Sequence, residues 1–282
     1  MAEGFASAGV ECTQLPVADG GEGTLEALEF VALSHKVANV PDAFGRPRSA
    51  RWIVLRDGTA VVEAAQAIPL DPGRLDVGAA SSRGLGELVR EVCGSEPQAL
   101  IVALGGTANM DAGEGLLEVL DALAVPTRVA CDVRTQLADA PRLYGPQKGA
   151  TPQQVEELTE RFRGHPCGDL PGSGAAGGLG AALASLGAEL VPGAPLVLEL
   201  IGFDPRGYDL VVTGEGTVDK TTWEGKAPAA VVAACERAGV ACTVFGGRVL
   251  GGDAVPLSGE PANAYGDLVT LATRLGRARA TR

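Results

Sequence analysis

Short apolar runs typical of buried strands alternate with helical segments along most of this chain, and this alternation constrains its fold more than any other feature. Ala99–Leu104 and Thr127–Cys131 are predicted strands, and helices are predicted after them at 114–123 and 152–162. Strands that alternate with helices form βαβ units, in which the strands are parallel. The sequence therefore predicts an α/β protein built on a parallel sheet.

One segment departs from this pattern. Residues 35–64 alternate between polar and apolar positions on both sides of Asp57-Gly58, a dipeptide typical of two-residue hairpin turns, so this part is predicted to be antiparallel. Towards the two ends of the chain we expect strands at 11–15, 209–213 and 241–245 and helices at 25–33, 227–238 and 263–275.

Composition limits the partners of the chain. The 23 basic and 35 acidic residues give a net charge of −12, which repels phosphate backbones and argues against a nucleic-acid partner. No apolar stretch reaches the ~20 residues of a membrane span. Two histidines, and six cysteines without C-x-x-C spacing, do not suit a zinc site. Free thiols fit a reducing compartment, so we expect a cytoplasmic protein with no membrane partner.

The loop 213–226 (TGEGTVDKTTWEGK) is the most highly charged glycine-rich segment. It follows a predicted strand and enters a predicted helix, whose N-terminus favours anions. It is not a Walker A loop, because eight residues rather than four separate Gly216 from Gly225-Lys226. A simple turn does not need this charge, so we predict a functional loop. Its candidate residues are Gly214, Glu215, Gly216, Asp219, Thr222 and Lys226.

A second glycine-rich loop, 18–24 (ADGGEGT), precedes the first predicted long helix. Its carboxylates, Asp19 and Glu22, can bind Mg²⁺ or orient a substrate hydroxyl. Capping of the following helix is the structural alternative for both. Lys148, in the loop 145–150 (GPQKGA), can reach an anion, or it can simply be solvated.

The loop 105–113 (GGTANMDAG) follows the strand Ala99–Leu104. Gly105, Gly106 and Thr107 offer hydrogen-bond donors to a ligand, and Asp111 offers a carboxylate. Capping of the next helix is again the alternative for Asp111.

The segment 172–177 (GSGAAG) matches G-x-G-x-x-G, but no strand precedes it and no acidic residue stands at the ribose position. A dinucleotide fingerprint is therefore not expected. Gly174 and Gly177 either allow a helix to pack closely or present backbone donors to a ligand.

Taken in order, these segments resemble the type I glycerate kinase family. The matching stretches are 16–24 (PVADGGEGT), 105–115, 131–133 (CDV), 145–150, 172–180 (GSGAAGGLG) and 209–226. The resemblance implies a flavodoxin-like parallel-sheet α/β domain built from both chain ends, 1–33 and 200–282. The second domain, 34–199, is an inserted α/β domain with antiparallel strands. It also implies transfer of the γ-phosphate of ATP, with Mg²⁺, to a hydroxyl of glycerate.

Phosphoryl transfer needs positioned donors, cations and an orienting carboxylate. We predict Asp219 as the base or the residue that orients the hydroxyl, with Lys226 and Asp19 as further catalytic residues. Glu22 and Glu215 are the predicted Mg²⁺ ligands. The predicted substrate or nucleotide contacts are Lys148, Gly105, Gly106, Thr107, Asp111, Gly174, Gly177, Gly214, Gly216 and Thr222.

Two alternatives stay open at this point. Lys220-Thr221 replaces the Ser-Gln common in the family, so the acceptor can be another small hydroxy-acid or a polyol. The chain can also be a catalytically silent relative that binds a metabolite or nucleotide. Either a monomer or a homodimer is compatible with the sequence.

The family usually begins with a strand and a P-D-S-F-K-G-like loop, whereas this chain begins in the helix that comes after that loop. We therefore expect an N-terminally shortened member, whose natural start lies upstream and whose missing segment contributes to stability and activity.

Overall fold

A computed structural model describes residues 1–280. The strands of this part of the chain are β1 (Ala32–Pro41), β2 (Pro47–Leu55), β3 (Thr59–Glu63), β4 (Ala99–Leu104), β5 (Thr127–Cys131), β6 (Glu189–Pro192), β7 (Leu210–Val218), β8 (Ala241–Val249) and β9 (Val255–Pro256). Its helices are α1 (Ala2–Ser7), α2 (Thr24–Ala27), α3 (Ala64–Ala67), α4 (Arg83–Cys93), α5 (Glu114–Leu117), α6 (Ala140–Tyr144), α7 (Pro152–Arg161), α8 (Ala175–Ser185), α9 (Gly193–Leu200), α10 (Ala227–Ala238) and α11 (Ala264–Ala280).

The chain divides into two compact units. The central unit is Val17–Ile201, and the terminal unit combines Met1–Pro16 with the residues from Gly202 onward. The expected border between residues 33 and 34 differs from this division. The segment after Pro16 belongs with the central sheet, because the Thr24 amide donates to the Glu63 carboxylate at the end of β3, at 2.7 Å.

The central unit contains a six-stranded sheet in the order β1-β2-β3-β4-β5-β6. β1, β2 and β3 pair antiparallel, with the Asp57-Gly58 turn between β2 and β3, whereas β3 to β6 pair parallel. At the turn, Gly58 has a φ of +84°. The predicted α/β class and the antiparallel part of the inserted segment are confirmed.

The middle of this sheet is buried on both faces. Val62, Val102 and Val129 have no exposed surface, and helices α4 and α8 contribute Leu88 and Leu183 to the same core. Parallel strands covered on both faces are continuous apolar runs, as in the ALIVAL sequence of β4. This burial leaves the ends of the strands as the places where polar side chains reach solvent.

The terminal unit contains a three-stranded parallel sheet in the order β7-β8-β9. Helix α10 connects β7 to β8. Helices α1 and α11 pack against each other through Gly4, whose carbonyl accepts from the Thr273 hydroxyl at 3.2 Å. Among the described residues, no helix combines the length and the apolar character that crossing a bilayer requires.

Some element predictions were wrong, for reasons of tertiary pairing. Residues 11–15 are not a strand, because no described strand pairs with them. The predicted helix 25–33 is cut short: α2 ends at Ala27, a 3₁₀ turn follows at Glu29–Val31, and β1 begins at Ala32. The strand expected at 209–213 continues to Val218, because β7 stays paired with β8 as far as Val249.

Candidate active site

The carboxyl edge of the parallel part of the central sheet is the first place where predicted site residues meet. β3, β4 and β5 end at Glu63, Leu104 and Cys131, and the next residues of β4 and β5 are Gly105 and Asp132. The carboxyl ends of parallel strands lie at one edge, which is where α/β proteins bind their ligands.

The glycine-rich loop before α2 lies directly on these strand ends. A Cβ on Gly20 would stand 2.5 Å from the Cα of Gly193, and a Cβ on Gly105 would stand 2.7 Å from the Cα of Gly21. Only glycine allows two backbones to approach this closely. The glycines therefore hold Asp19 and Glu22 at the edge of the sheet.

Asp19 and Asp132 bring two carboxylates together at this edge. Asp19 Oδ1 and Asp132 Oδ2 lie 3.3 and 3.5 Å from the point where a Cβ of Gly21 would stand, and so within about 7 Å of each other. No other described residue donates a hydrogen bond to the Asp132 carboxylate. Burial, reinforced by the charge of Asp19, raises the pKa of Asp132 to about 6.

Lys148 supplies a buried positive charge to the same region. Its side chain is at the end of the 3₁₀ turn Pro146–Lys148, and the residue is only 4% exposed. Lys148 Nζ donates to the main-chain oxygen of Asn109 at 2.8 Å and to Thr107 Oγ1 at 3.4 Å. Burial lowers the pKa of Lys148 to about 8, against the opposing charges of Asp111 and Asp132.

Asp111 has the structural role that the sequence left open as its alternative. Its carboxylate accepts from the amide and hydroxyl of Ser82, both at 2.8 Å, and from Asn109 Nδ2 at 2.9 Å. It also accepts from the amides of Gly113 and Gly115 at 3.1 and 3.2 Å. These five bonds join the starts of α4 and α5, and the ligand contact of Asp111 stays a prediction.

Gly174 and Gly177 serve close packing, the structural alternative for the glycine cluster. A Cβ on Gly174 would stand 2.5 Å from the main-chain oxygen of Gln136, and a Cβ on Gly177 would collide with that of Asn109. Ala176, Gly177 and Gly178 have φ values of +51°, +68° and +98°, so the start of α8 is not helical.

Asp132, Glu63 and Asn109 were not among the predicted site residues. Glu63 is 1% exposed, and burial raises its pKa. By accepting from Thr24, it fixes the start of α2 and with it the glycine-rich loop. Asp132 carried a usable signal, because it directly follows a predicted strand of a parallel sheet. The burial of Glu63 and Asn109 depends on neighbours that are distant in sequence.

The terminal unit gathers the charged residues of the loop 213–226. Lys226 Nζ lies 3.7 Å from Glu215 Oε2, and the Thr222 hydroxyl donates to the other Glu215 oxygen. Gly214 lets β7 pass the main chain of β8, since a Cβ there would meet Phe245. Gly216 is exposed and has open space around its Cα.

Asp219 begins the 3₁₀ helix Lys220–Glu224. Its carboxylate accepts from the Thr221 amide at 2.8 Å and hydroxyl at 2.7 Å and from the Thr222 amide at 3.3 Å. The Thr222 hydroxyl in turn accepts from the Asp219 amide, which completes a capping box. The hydrogen bond from the Thr221 hydroxyl is the main reason why the pKa of Asp219 is lowered. A carboxylate held ionised in this way is a weak proton acceptor.

Comparison with known proteins identifies the family to which this chain is similar. The sequence profile of the Glycerate kinase family matches residues 1–126 and 121–281. The chain belongs to the glycerate kinase family. A glycerate 2-kinase of Escherichia coli (strain K12) is 34% identical over 270 residues, which cover 77% of this chain and 71% of that protein. A glycerate kinase of Bacillus subtilis (strain 168) is 32% identical over 283 residues, covering 81% and 74%.

A crystal structure of a protein described as glycerate kinase 2, from Salmonella typhimurium LT2, has the same fold as this glycerate kinase family member. The TM-score is 0.80 at 28% identity, over 99% of this chain and 92% of the other. The family resemblance expected from the loops is confirmed, and so is the α/β class.

Proposed function

We propose that this family member transfers the γ-phosphoryl group of ATP to a hydroxyl of glycerate. The family and the names of its relatives support this reaction. The observation that carries it is the meeting of Asp19, Asp132 and Lys148 at the carboxyl edge of the central sheet. Phosphoryl transfer depends on positioned charge of this kind, with a carboxylate for the acceptor hydroxyl and a cation for anionic oxygens.

Lys148 is the proposed partner of an anionic group of the substrate. An ammonium group has three donors, and two of those of Lys148 are used by Asn109 and Thr107. The third is left for a carboxylate or phosphate oxygen. The amides of Gly105 and Gly106, at the end of β4, are the proposed neutral donors beside it.

Lys226 is the proposed phosphate partner in the terminal unit. Its side chain is 36% exposed, and its contact with Glu215 is long, at 3.7 Å. The ammonium group is therefore free to donate hydrogen bonds to a phosphate oxygen. Asp219 and Thr222 hold the backbone around it through the capping box. We propose this capping role for Asp219, and the base that the sequence predicted at this position stays a prediction.

Mg²⁺ is the expected companion of ATP, and one of its two predicted ligands fits. The Glu22 carboxylate is exposed, and no other described side chain bonds to it. Glu215 fits less well, because Lys226 and Thr222 already occupy its oxygens. The described residues form no group of three or more metal-binding side chains. Mg²⁺ commonly takes one or two carboxylates together with water and phosphate oxygens, and it neutralises phosphate charge when bound.

A reducing compartment is also proposed. All six cysteines are free, including the buried Cys235 of α10 and the half-buried Cys242 near the start of β8. We therefore propose the cytoplasm as the place of the reaction, with a small hydroxy-acid as the partner.

The test is a phosphorylation assay with the purified chain, ATP, MgCl₂ and a panel of glycerate, other small hydroxy-acids and polyols. ADP release that depends on glycerate, with phosphoglycerate identified by mass spectrometry, is the expected result. If another acceptor is turned over in preference to glycerate, that acceptor is the substrate and the glycerate part of the proposal is wrong. Nucleotide binding without turnover of any acceptor would contradict the proposal and favour a silent relative. The Lys148→Met variant is the matched negative control.

A further inference from the structure

The Asp132 carboxylate lies half-buried at the carboxyl edge of the central sheet. It directly follows β5, in the middle of the parallel strands, and no other described residue donates to it. Asp111, by contrast, is saturated by five internal donors, and Glu63 accepts from Thr24 and Gln66.

Two glycines border the Asp132 carboxylate. A Cβ on Gly105 would come within 3.1 Å of Asp132 Oδ2, and a Cβ on Gly21 within 3.5 Å. The glycine-rich loop therefore packs with bare backbone beside the Asp132 oxygen, and neither glycine places a side chain over it. Neither glycine has the positive φ that would by itself demand glycine.

We propose that Asp132 is the catalytic base that takes the proton of the attacking hydroxyl. The assignment rests on the proposed kinase reaction and identifies the proton acceptor within it. As the hydroxyl oxygen bonds to the γ-phosphorus, the bond from that phosphorus to the β,γ-bridging oxygen breaks and ADP leaves. The hydroxyl proton moves to Asp132 Oδ2 and is later released to solvent.

The charged and titratable groups around Asp132 favour this role. Asp19 faces it from the glycine-rich loop, and Lys148 faces it from the 3₁₀ turn before α7. Tyr144 of α6 also senses its charge, but the Tyr144 hydroxyl is bonded to Thr135. The thiol of Cys131 is neutral at physiological pH, because burial raises its pKa to about 12. Asp19 makes Asp132 more basic, whereas Lys148 keeps it ionised near neutrality.

The basicity of Asp132 supports the geometric argument. A pKa of about 6 lies near the working pH and allows proton transfer in the transition state, whereas the pKa of Asp219 is lowered. Asp132 is therefore ionised in most molecules at pH 7.5 and is still a useful acceptor.

The experiment compares the wild-type chain with Asp132→Asn, using Asp121→Asn, an exposed aspartate of the central unit, as the control. At pH 7.5 we expect kcat of Asp132→Asn to fall by about a hundredfold or more, while KM for ATP and glycerate changes by less than about threefold. Wild-type kcat/KM should fall tenfold per pH unit below about pH 6, and this acidic limb should be absent from the residual activity of Asp132→Asn.

Binding of ATP and glycerate to Asp132→Asn is measured by calorimetry in parallel. A variant that keeps wild-type kcat and its acidic limb would overturn the assignment, and so would one that loses kcat because it no longer binds substrate. If the wild-type chain phosphorylates a different acid and not glycerate, the proposed substrate is wrong. The same pH comparison, made with that acid, then still tests whether Asp132 is the base. Absence of turnover with every acceptor would overturn both.

Discussion

The carboxylates of Asp19 and Asp132 both lie beside Gly21, with oxygens within about 7 Å of each other. Among residues 1–280, no lysine or arginine forms an ion pair with either of them. Two like charges held together in a half-buried place cost free energy in the folded state. Such a cost is typical of functional sites, and it can be measured.

Replacing Asp132 by Asn should stabilise the protein at pH 8 more than at pH 4.5. The pKa of the carboxyl is raised from 3.8 to about 6 on folding, so its favourable contribution is complete below about pH 4 and is lost as the pH rises through about 6. The gain at pH 8 is at most about 3 kcal/mol in the free energy of unfolding. Urea unfolding at both pH values, with Asp121→Asn as the control, measures it. An equal difference at both values would contradict the prediction.

The activity should also fall on the alkaline side, near pH 8. The pKa of buried Lys148 is lowered to about 8, so its ammonium group loses its proton there and with it the attraction for an anionic substrate. In Lys148→Arg the charge persists, and the residual kcat/KM should stay level between pH 7 and 9. Lys36→Arg, at a solvent-exposed position, is the control. If the wild-type pH profile shows no fall of activity on the alkaline side, the charge of Lys148 does not contribute to substrate binding.

Gly105→Ala should lower kcat/KM by at least about tenfold. The added methyl group would stand 2.7 Å from the Cα of Gly21 and 3.1 Å from Asp132 Oδ2, so the glycine-rich loop must move. Gly207→Ala is the control, because its methyl group would meet no atom within 4 Å. Kinetics and melting temperatures of both variants are compared. Unchanged kinetics in Gly105→Ala would mean that the loop position does not matter for catalysis.

Excess chelator should abolish turnover, because the lysines of the chain cannot neutralise the ATP phosphates alone. If Glu22 is the protein ligand of Mg²⁺, Glu22→Gln should raise the Mg²⁺ concentration for half-maximal activity by about tenfold. Glu91→Gln, at another exposed position of the central unit, should leave it unchanged. A Mg²⁺ titration at fixed ATP measures the shift. Overlapping titration curves for Glu22→Gln and wild type would exclude Glu22 as a ligand.

Two substitutions of Asp219 separate a capping role from a catalytic one. Asn keeps an oxygen that can accept from the amides of Thr221 and Thr222, whereas Ala loses it. We therefore expect Asp219→Asn to keep kcat within about threefold and Asp219→Ala to lower both kcat and melting temperature. If Asp219 were the base, as the sequence predicted, kcat would instead fall strongly in both variants. A large fall of kcat in Asp219→Asn with an unchanged melting temperature would restore that prediction.

The sequence by itself determined the local parts of this protein. The bounds of β4 and β5, the hairpin at Asp57-Gly58 and helix α10 follow from apolar runs and turn residues that are neighbours along the chain. The glycine-rich loops were also predictable, because a backbone that crosses strand ends needs residues without side chains. Placement of Asp19 and Lys148 in such loops marked them as site candidates.

Only the tertiary structure decided what these parts do together. The sequence does not say that β5 lies beside β4, so it could not bring Asp132 up to Asp19, more than a hundred residues earlier. The same holds for Asp111, whose five donors come partly from Ser82, and for the segment 11–15, which has strand-like residues but no partner. Hydrogen bonds, burial and charge interactions depend on distance in space, and sheet pairing sets that distance independently of separation along the chain.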